Sequence, residues 1–349
     1  MRLIIINDGF YPERIGGAEI QIMNIKLGLE SLGWSVQLID SRWGYKRCLI
    51  EARKIHANIV YQRGRKDSTW LAFLISKKLD ISFVFSASMN IDFHYLKKCH
   101  EATVNKSRTF PSKVYRILRY FGEDFFSLLA MLCADRLLTQ NEEQKSLCSK
   151  KYGKHSSIIP NYHVVDRAND KDTGVFRVLW LASLKKWKRP EVFIELSRLF
   201  EDYKNIEFVM AGNIVDNDYK SLCFEWKGYP NVKIINDVDY EYSKSLITSA
   251  NVFVNTSNGN EGFPNTFIMS WLSGVPVVSY EFNVNTPMRN IGFVSCDESM
   301  DRMRDEITRE YLARQNKVSR ATEINKKAEM EYSFNYSIGA LHELMVLHV

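Results

Sequence analysis

The chain lacks several features that would narrow its class, and each absence removes possibilities. Its 349 residues hold six cysteines, Cys48, Cys99, Cys133, Cys148, Cys223 and Cys296, with no CxxC pair and no histidine at a metal-ligating spacing. That pattern excludes a recognisable zinc site or disulfide framework and points to a reduced, cytoplasmic protein. The longest nearly apolar run, Phe125 to Ala134, is far too short to span a bilayer. The opening MRLIIINDGF has a single basic residue and soon turns polar, so it is read as a first strand and not as a signal peptide. No low-complexity tract, solenoid-period repeat, nucleic-acid-binding signature or GxGxxG dinucleotide fingerprint is present. The net charge of +6 is modest. It suits an anionic ligand or an anionic membrane surface without requiring nucleic acid.

The length fits two domains of ordinary size, and 45% apolar residues can supply a core for each. The most informative stretch is Asn251 to Tyr280, NVFVNTSNGNEGFPNTFIMSWLSGVPVVSY. Val252 to Val254 reads as a buried parallel strand, and Thr256 to Gly262 as a polar, glycine-bearing loop. A helix is expected next, with Pro264 in its first turn and Asn265 as a cap. Phe267, Ile268, Trp271 and Leu272 would share its apolar face. Met269 falls with Thr266, Ser270 and Ser273 on the opposite face, where it would have no core to pack into. Gly274 and Pro276 end the helix, and Val277 and Val278 start another strand. Ligands of open α/β sheets bind at such strand-end loops, and a helix amino terminus presents N–H groups to an anion. Glu261, at the lip of the loop, is placed to accept hydrogen bonds from sugar hydroxyls. A core helix with an ordinary solvated loop is the competing reading.

EGFPNTFIMSWLSGVPVVS resembles the donor-site motif of retaining glycosyltransferases of the GT-B fold, family 4 type. Glu261, Gly262, Phe263, Pro264 and Asn265 match that motif. Its second glutamate, which usually holds the nucleotide ribose, is Met269 here. Gly16-Gly17-Ala18-Glu19 resembles the family's GGAE segment, whose glycine backbone approaches the donor; the alternative is a helix entry needing glycine dihedrals. The family's Arg-x-x-x-x-Lys pair grips the donor diphosphate. Lys188 aligns with the lysine, whereas the arginine position is Ser183. Many relatives carry a histidine at the strand end that is Ser86-Ala87-Ser88 here. His94, several residues on, is more simply a loop histidine.

The rest of the chain reads in the same idiom. Leu3 to Ile6, a glycine loop, Ala18 to Leu32 and Val36 to Ile39 open a doubly wound domain. Ile59 to Tyr61 and Ile81 to Phe85 are further strands. Lys97 to Arg119 is basic and interleaved with aromatics, then runs into apolar Phe125 to Leu132. That is either a solvated face followed by a core helix or a surface for an anionic leaflet. Pro160-Asn161 leads to a charged, irregular run. Pro190 begins a helix with Val192, Phe193, Leu196, Leu199 and Phe200 inward. Before it stand Lys185, Lys186, Lys188 and Arg189. Four cations at a helix amino terminus oppose its dipole and call for an anion such as a diphosphate.

The expectations follow. The fold is α/β, GT-B, with two doubly wound Rossmann-like domains facing across a cleft. Residues 1–164 form an acceptor-side domain, 165–174 a linker, 175–330 a donor-binding domain, and 331–349 a helix crossing back to the first domain. The resemblance implies retaining transfer of a sugar from a nucleotide-diphosphate sugar to a glycan or lipid-linked acceptor, in the hexosyltransferase class and in surface polysaccharide biosynthesis. It implies a catalytic Glu261, with donor contacts from Gly17, Lys188, Gly262, Phe263, Pro264, Asn265, Thr266 and Met269. No metal or cofactor is expected beyond the donor substrate, and location is cytoplasmic, with possible peripheral contact at the membrane's inner face. The departures at Met269, Ser183 and the strand-end histidine keep open a sugar-nucleotide-binding or scaffolding protein with lost catalysis. An epimerase acting on the nucleotide sugar would need acid and base carboxylates near Glu261, and none has convincing placement.

Overall fold

The computed structural model describes residues 1–14, 16–98, 110–164, 174–258, 263–316 and 318–347, with the backbone alone over 110–117. Two compact units emerge, one of Met1–Tyr162 with Phe334–Val349 and the other of His163–Ser333. The 165–174 linker reading falls, apart from Gly174, outside the described residues.

In the first unit, strands and helices alternate. They are β1 (Arg2–Asn7), α1 (Gly17–Ser31), β2 (Ser35–Asp40), α2 (Gly44–Ile55), β3 (Ile59–Arg63), α3 (Asp67–Leu79), β4 (Ser82–Ser86), α4 (Phe110–Leu132), β5 (Arg136–Thr139), α5 (Glu142–Tyr152) and β6 (Ser157–Ile158). The sheet order is β2-β1-β3-β4-β5-β6, and each neighbouring pair is parallel. Leu3, Ile4, Ile5 and Ile6 are all buried, the signature of a strand covered on both faces. The α5 helix is capped by Asn141, whose side chain accepts from Gln144 N–H, and ends at Gly153 with φ 62°. The C-terminal segment, ending in a helix over Ala340–Val346, sets Ile338, Leu341 and Met345 into the cluster of Leu3, Ile5 and Ile22. A Cβ at Gly28 would come within 2.9 Å of Ile338, so the bare backbone there lets the segment approach α1. Trp34 Nε1 donates to His342 Nδ1 at 2.8 Å in the same packing.

The second unit repeats the plan. It contains β7 (Phe176–Leu181), α6 (Pro190–Arg198), β8 (Ile206–Ala211), α7 (Tyr219–Trp226), β9 (Val232–Ile235), α8 (Tyr240–Ser249), β10 (Val252–Asn255), α9 (Asn265–Leu272), β11 (Val277–Ser279), β12 (Phe293–Ser295), α10 (Met300–Gln315) and α11 (Ala321–Tyr332). Its parallel sheet runs β12-β11-β10-β7-β8-β9. Both sheets therefore reverse their winding at one place, between β1 and β3 in the first and between β7 and β10 in the second. At such switch points the loops leaving the two strands diverge to opposite faces and open a crevice at the carboxyl edge.

Candidate functional site

The crevice of the second unit is built from the loops that leave β7 and β10. Trp180, near the end of β7, is buried and needs an acceptor for its indole N–H. It finds one in Thr256 Oγ1 at 2.8 Å, just beyond β10. Thr256 Oγ1 in turn donates to the Lys188 carbonyl at 2.7 Å, and Asn258 N donates to the Trp187 carbonyl at 3.1 Å. The first bond ties β7, and the other two tie the lysine-bearing turn, Lys186–Lys188, to the residues that follow β10. Asn255, the last residue of β10, fixes that loop from the other side. Its Oδ1 accepts from Ser257 N and Oγ at 3.2 and 2.8 Å, while its Nδ2 donates to Ser279 Oγ at 3.2 Å. None of Trp180, Thr256, Asn255 or Ser257 stood out in the sequence; a tryptophan in a buried strand, which must place one N–H, was the available signal.

Gly212, at the end of β8, supports the same turn. Its φ is 146°, and a Cβ there would lie 1.8 Å from the Ala182 carbonyl oxygen. The close approach lets Leu184 N bond Asn213 O at 2.9 Å. Only glycine meets both demands.

The predicted cations divide. Arg189 adopts φ 50° as the N-cap of α6. Its guanidinium bonds Glu281 at 2.7 Å, lies 3.8 Å from Glu298 and sits 5.0 Å from the centroid of the Tyr280 ring. The expectation of four cations awaiting an anion is thus corrected at Arg189, which the protein itself neutralises. Among the described residues no carboxylate pairs with Lys185 or Lys186. Lys188 is half-buried, with Nζ 4.2 Å from the centroid of the Trp187 ring.

The α9 helix differs from its expected form in two respects. Its N-cap is Pro264 and its first residue Asn265, the reverse of the expected roles, and no side chain caps it. Proline has no side-chain acceptor, so Pro264 supplies no side-chain cap to the first turn. Second, the helix has no solvent face at Met269, which is 3% exposed, and Ser270 and Ser273 are buried with it. The argument that Met269 lacks a core is overturned. The neighbouring α11 contributes to the enclosure, with Asn325 Nδ2 donating to the Leu272 carbonyl at 2.6 Å. Phe263 also turns inward, its ring 6.1 Å from Trp271 and 5.9 Å from Tyr332. Its side chain anchors the loop, and only its backbone is left to face a ligand. Pro264 is buried; Asn265 and Thr266 are partly exposed. Glu261 and Gly262 lie outside the described residues.

Gly17 belongs to the first unit, as the first residue of α1. The preceding Gly16 has an extended φ of −162°, which any residue adopts, so helix-entry dihedrals do not explain it. Space does: a Cβ there would lie 2.4 Å from Glu19 Oε2. The buried Glu19 carboxylate is 3.5 Å from Arg14 and 3.7 Å from Lys66. Ala87, at the strand end where the resembling family places a histidine, is buried, and His94 is exposed beyond the next turn.

Residues 164–307 match the family model described as glycosyl transferases group 1. The chain is also similar, along nearly its whole length, to several solved structures. A glycosyltransferase from Rickettsia africae is 14% identical with a TM-score of 0.72, covering 99% of this chain and 98% of that one. HepE from Anabaena in complex with UDP-glucose is 13% identical, with a TM-score of 0.69 and coverage of 99% and 100%. WaaG, a glycosyltransferase involved in lipopolysaccharide biosynthesis, is 13% identical, with a TM-score of 0.67 and coverage of 97% and 98%. No curated protein matches the chain. The fold is GT-B, with two Rossmann-like α/β units, and most of the second unit matches the model of group 1 glycosyl transferases.

Proposed function

We propose that the protein is a retaining glycosyltransferase of the family 4 type. It takes a sugar from a nucleotide-diphosphate sugar and joins it to a glycan or lipid-linked acceptor in surface polysaccharide biosynthesis. One observation carries the reading. The lysine-bearing turn after β7 is bonded at the switch point of the second sheet to Thr256 and Asn258, just beyond β10, and α9 follows in the chain with Pro264 as its N-cap.

In this reading the diphosphate lies between Lys188 and the first-turn N–H groups of Asn265 and Thr266. Lys185 and Lys186 stand in for the arginine that Ser183 replaces. As the anomeric carbon–oxygen bond breaks, the charge on the departing diphosphate meets an ammonium and a helix dipole already in place. No metal is required for that step, and chelation with EDTA is expected to leave the rate unchanged. Glu261 holds hydroxyls of the transferred sugar, Gly262, Phe263 and Pro264 shape the loop that carries it, and Gly17 brings bare backbone to the donor. The Met269 thioether cannot accept the paired hydrogen bonds of a glutamate, so the ribose is held less tightly here than the motif implies. That HepE was solved with UDP-glucose supports a uridine donor, and the role of WaaG supports a surface glycan as the product.

The test is a thermal-shift screen of nucleotide sugars, UDP-glucose first, since a bound donor stabilises by mass action. Donor turnover is then compared with the Glu261→Ala variant. No response to any nucleotide sugar refutes the reading, and an unchanged turnover in the variant removes Glu261 from the site. Binding without turnover in the unmodified protein selects the non-catalytic alternative, which the departures at Met269 and Ser183 favour.

A further inference from the structure

The carboxyl end of β3 buries a charge that no described residue neutralises. Arg63 is 4% exposed and Arg65 is 2% exposed. Their partners differ. Arg65 faces the Asp124 carboxylate at 3.5 Å. Arg63 has no carboxylate within ion-pair reach among the described residues. Its Nη1 donates to Ser86 Oγ at 3.3 Å and its Nη2 to Asn161 Oδ1 at 2.5 Å, and both acceptors are neutral. Its Nε is buried with no acceptor at all. Taking a guanidinium out of water is expensive unless an anion meets it, so such a residue adds little to the stability of the free chain.

Its position is that of a ligand-binding group. Arg63 is the last residue of β3 and pairs with Ser86, the last of β4. Ile5 of β1 pairs with Tyr61 of β3, so two residues on Arg63 stands level with Asn7, where β1 ends. The guanidinium therefore belongs to the carboxyl edge of the first sheet at its switch point, where ligands of such sheets bind. The carboxylates of this edge are held by other cations. Asp8 bonds Arg14 at 2.9 Å and Lys66 at 3.0 Å, Glu19 lies 3.5 and 3.7 Å from the same two, and Asp92 takes Lys97 at 2.8 Å.

We propose that Arg63 recognises an oxyanion, a carboxylate or a phosphate, on the acceptor bound by the first unit. The proposal rests on the glycosyltransferase reading and names the class of acceptor: an acidic or phosphate-bearing saccharide. A guanidinium grips such a group through paired, charge-assisted hydrogen bonds. The neutral contacts to Ser86 and Asn161 are weaker and yield to it. A neutral acceptor gives the buried charge nothing.

Saturation-transfer NMR on the full chain tests it, with UDP in excess to fill the donor site of the other unit. The probes are glucose, glucuronate and glucose 6-phosphate. One anionic probe is expected to bind about tenfold or more tightly than glucose, and which of the two does so identifies the oxyanion. Arg63→Gln should reduce that affinity to the level of glucose, with a Tm equal to or above that of the parent because an unmatched buried charge is gone. Arg63→Lys, which keeps the charge and loses the planar fork, should fall between the two and serves if the glutamine variant does not fold. Equal affinity for all three probes overturns the proposal, as does undiminished anion binding by either variant. A lowered Tm in Arg63→Gln with anion binding intact also overturns it, by making Arg63 an internal strut. Absence of UDP binding instead defeats the donor reading, so the two failures are told apart.

Discussion

At the switch point of the first sheet, Lys66 Nζ bonds Asn7 Oδ1 and Asp8 Oδ1 at 3.0 Å each and lies 3.7 Å from Glu19. At that of the second sheet, Lys186 N donates to Asp216 Oδ2 at 2.8 Å, and among the described residues no carboxylate forms an ion pair with the Lys185 or Lys186 ammonium. The two crevices share a topology and differ in their charge balance. In the first, burial would push the Asp8 carboxyl up, but Lys66 and Arg14 more than offset it and hold it below the usual carboxylate range. The neighbouring strand ends follow suit, with Asp92 taking Lys97 at 2.8 Å and Asp124 facing Arg65 at 3.5 Å. In the second, Lys185, Lys186 and Lys188 gather at the turn that follows β7. Cations clustered in this way favour an anionic ligand, because binding it removes their mutual repulsion. The same fold thus gives one crevice in which cations and carboxylates interleave and one in which lysines cluster at a single turn.

The largest expected effect removes the support of the second crevice. Gly212→Ala would drive a Cβ to 1.8 Å from the Ala182 carbonyl at a φ of 146°. It should cost about 3 kcal/mol or more by strain and displacement of the turn. Denaturation followed by hydrogen exchange should show lost protection in β7 and β8 with the first unit unchanged; equal protection in both proteins would show that the turn can shift freely. Next is Lys188→Glu, which puts a carboxylate where the diphosphate is proposed. Donor affinity should fall by on the order of 100-fold, with Tm little changed. An unaltered Kd for UDP-glucose in titration calorimetry would erase the contrast between the crevices.

How much of this was readable beforehand depended on whether the signal was local. The apolar run of β10 and the stripe of α6 are local signals, and both elements lie where they put them, except that Leu199, read as inward, is the C-cap of α6 and is exposed. In α9 polarity misled. Ser270 hides its hydroxyl by donating to the Thr266 carbonyl at 2.7 Å, so a polar residue did not mean an exposed one. In α4 the period was visible but its direction was not, because Asp124 and Ser127 find their partners within the unit and leave the phenylalanines outside. Arg189 counted as an unmatched cation because Glu281 is 92 residues away, beyond the reach of any local pattern. Strand order, which creates the switch points, is likewise a long-range property. The motif at 261–265 suggested a donor site by resemblance, but the bonds that join the lysine turn to Thr256 and Asn258 required the coordinates.

Two smaller perturbations sharpen the contrast from the side of the first unit and from the edge of the second. Asp92 is buried, which alone would raise its pKa, yet Lys97 and the N–H groups of Ser88 and Arg65 hold it at about 2 against an ordinary 3.8. A lowered folded-state pKa contributes stability that is complete above 3.8 and is lost as pH falls from there through about 2. Asp92→Asn should therefore destabilise the protein at neutral pH by on the order of 2 kcal/mol. The gap from the parent should close below about pH 2, and a pH-independent gap would mean that the carboxylate's charge is not its source. Arg189→Ala should do least. Its pair with Glu281 is partly exposed, with about 28–29% of each side chain accessible, and such pairs contribute about 1 kcal/mol or less. Because that guanidinium is already engaged, its loss should change donor affinity by less than about twofold. A loss as large as that of Lys188→Glu would place Arg189 among the groups that hold the diphosphate, and the division between satisfied and waiting charge would then run through the second crevice itself.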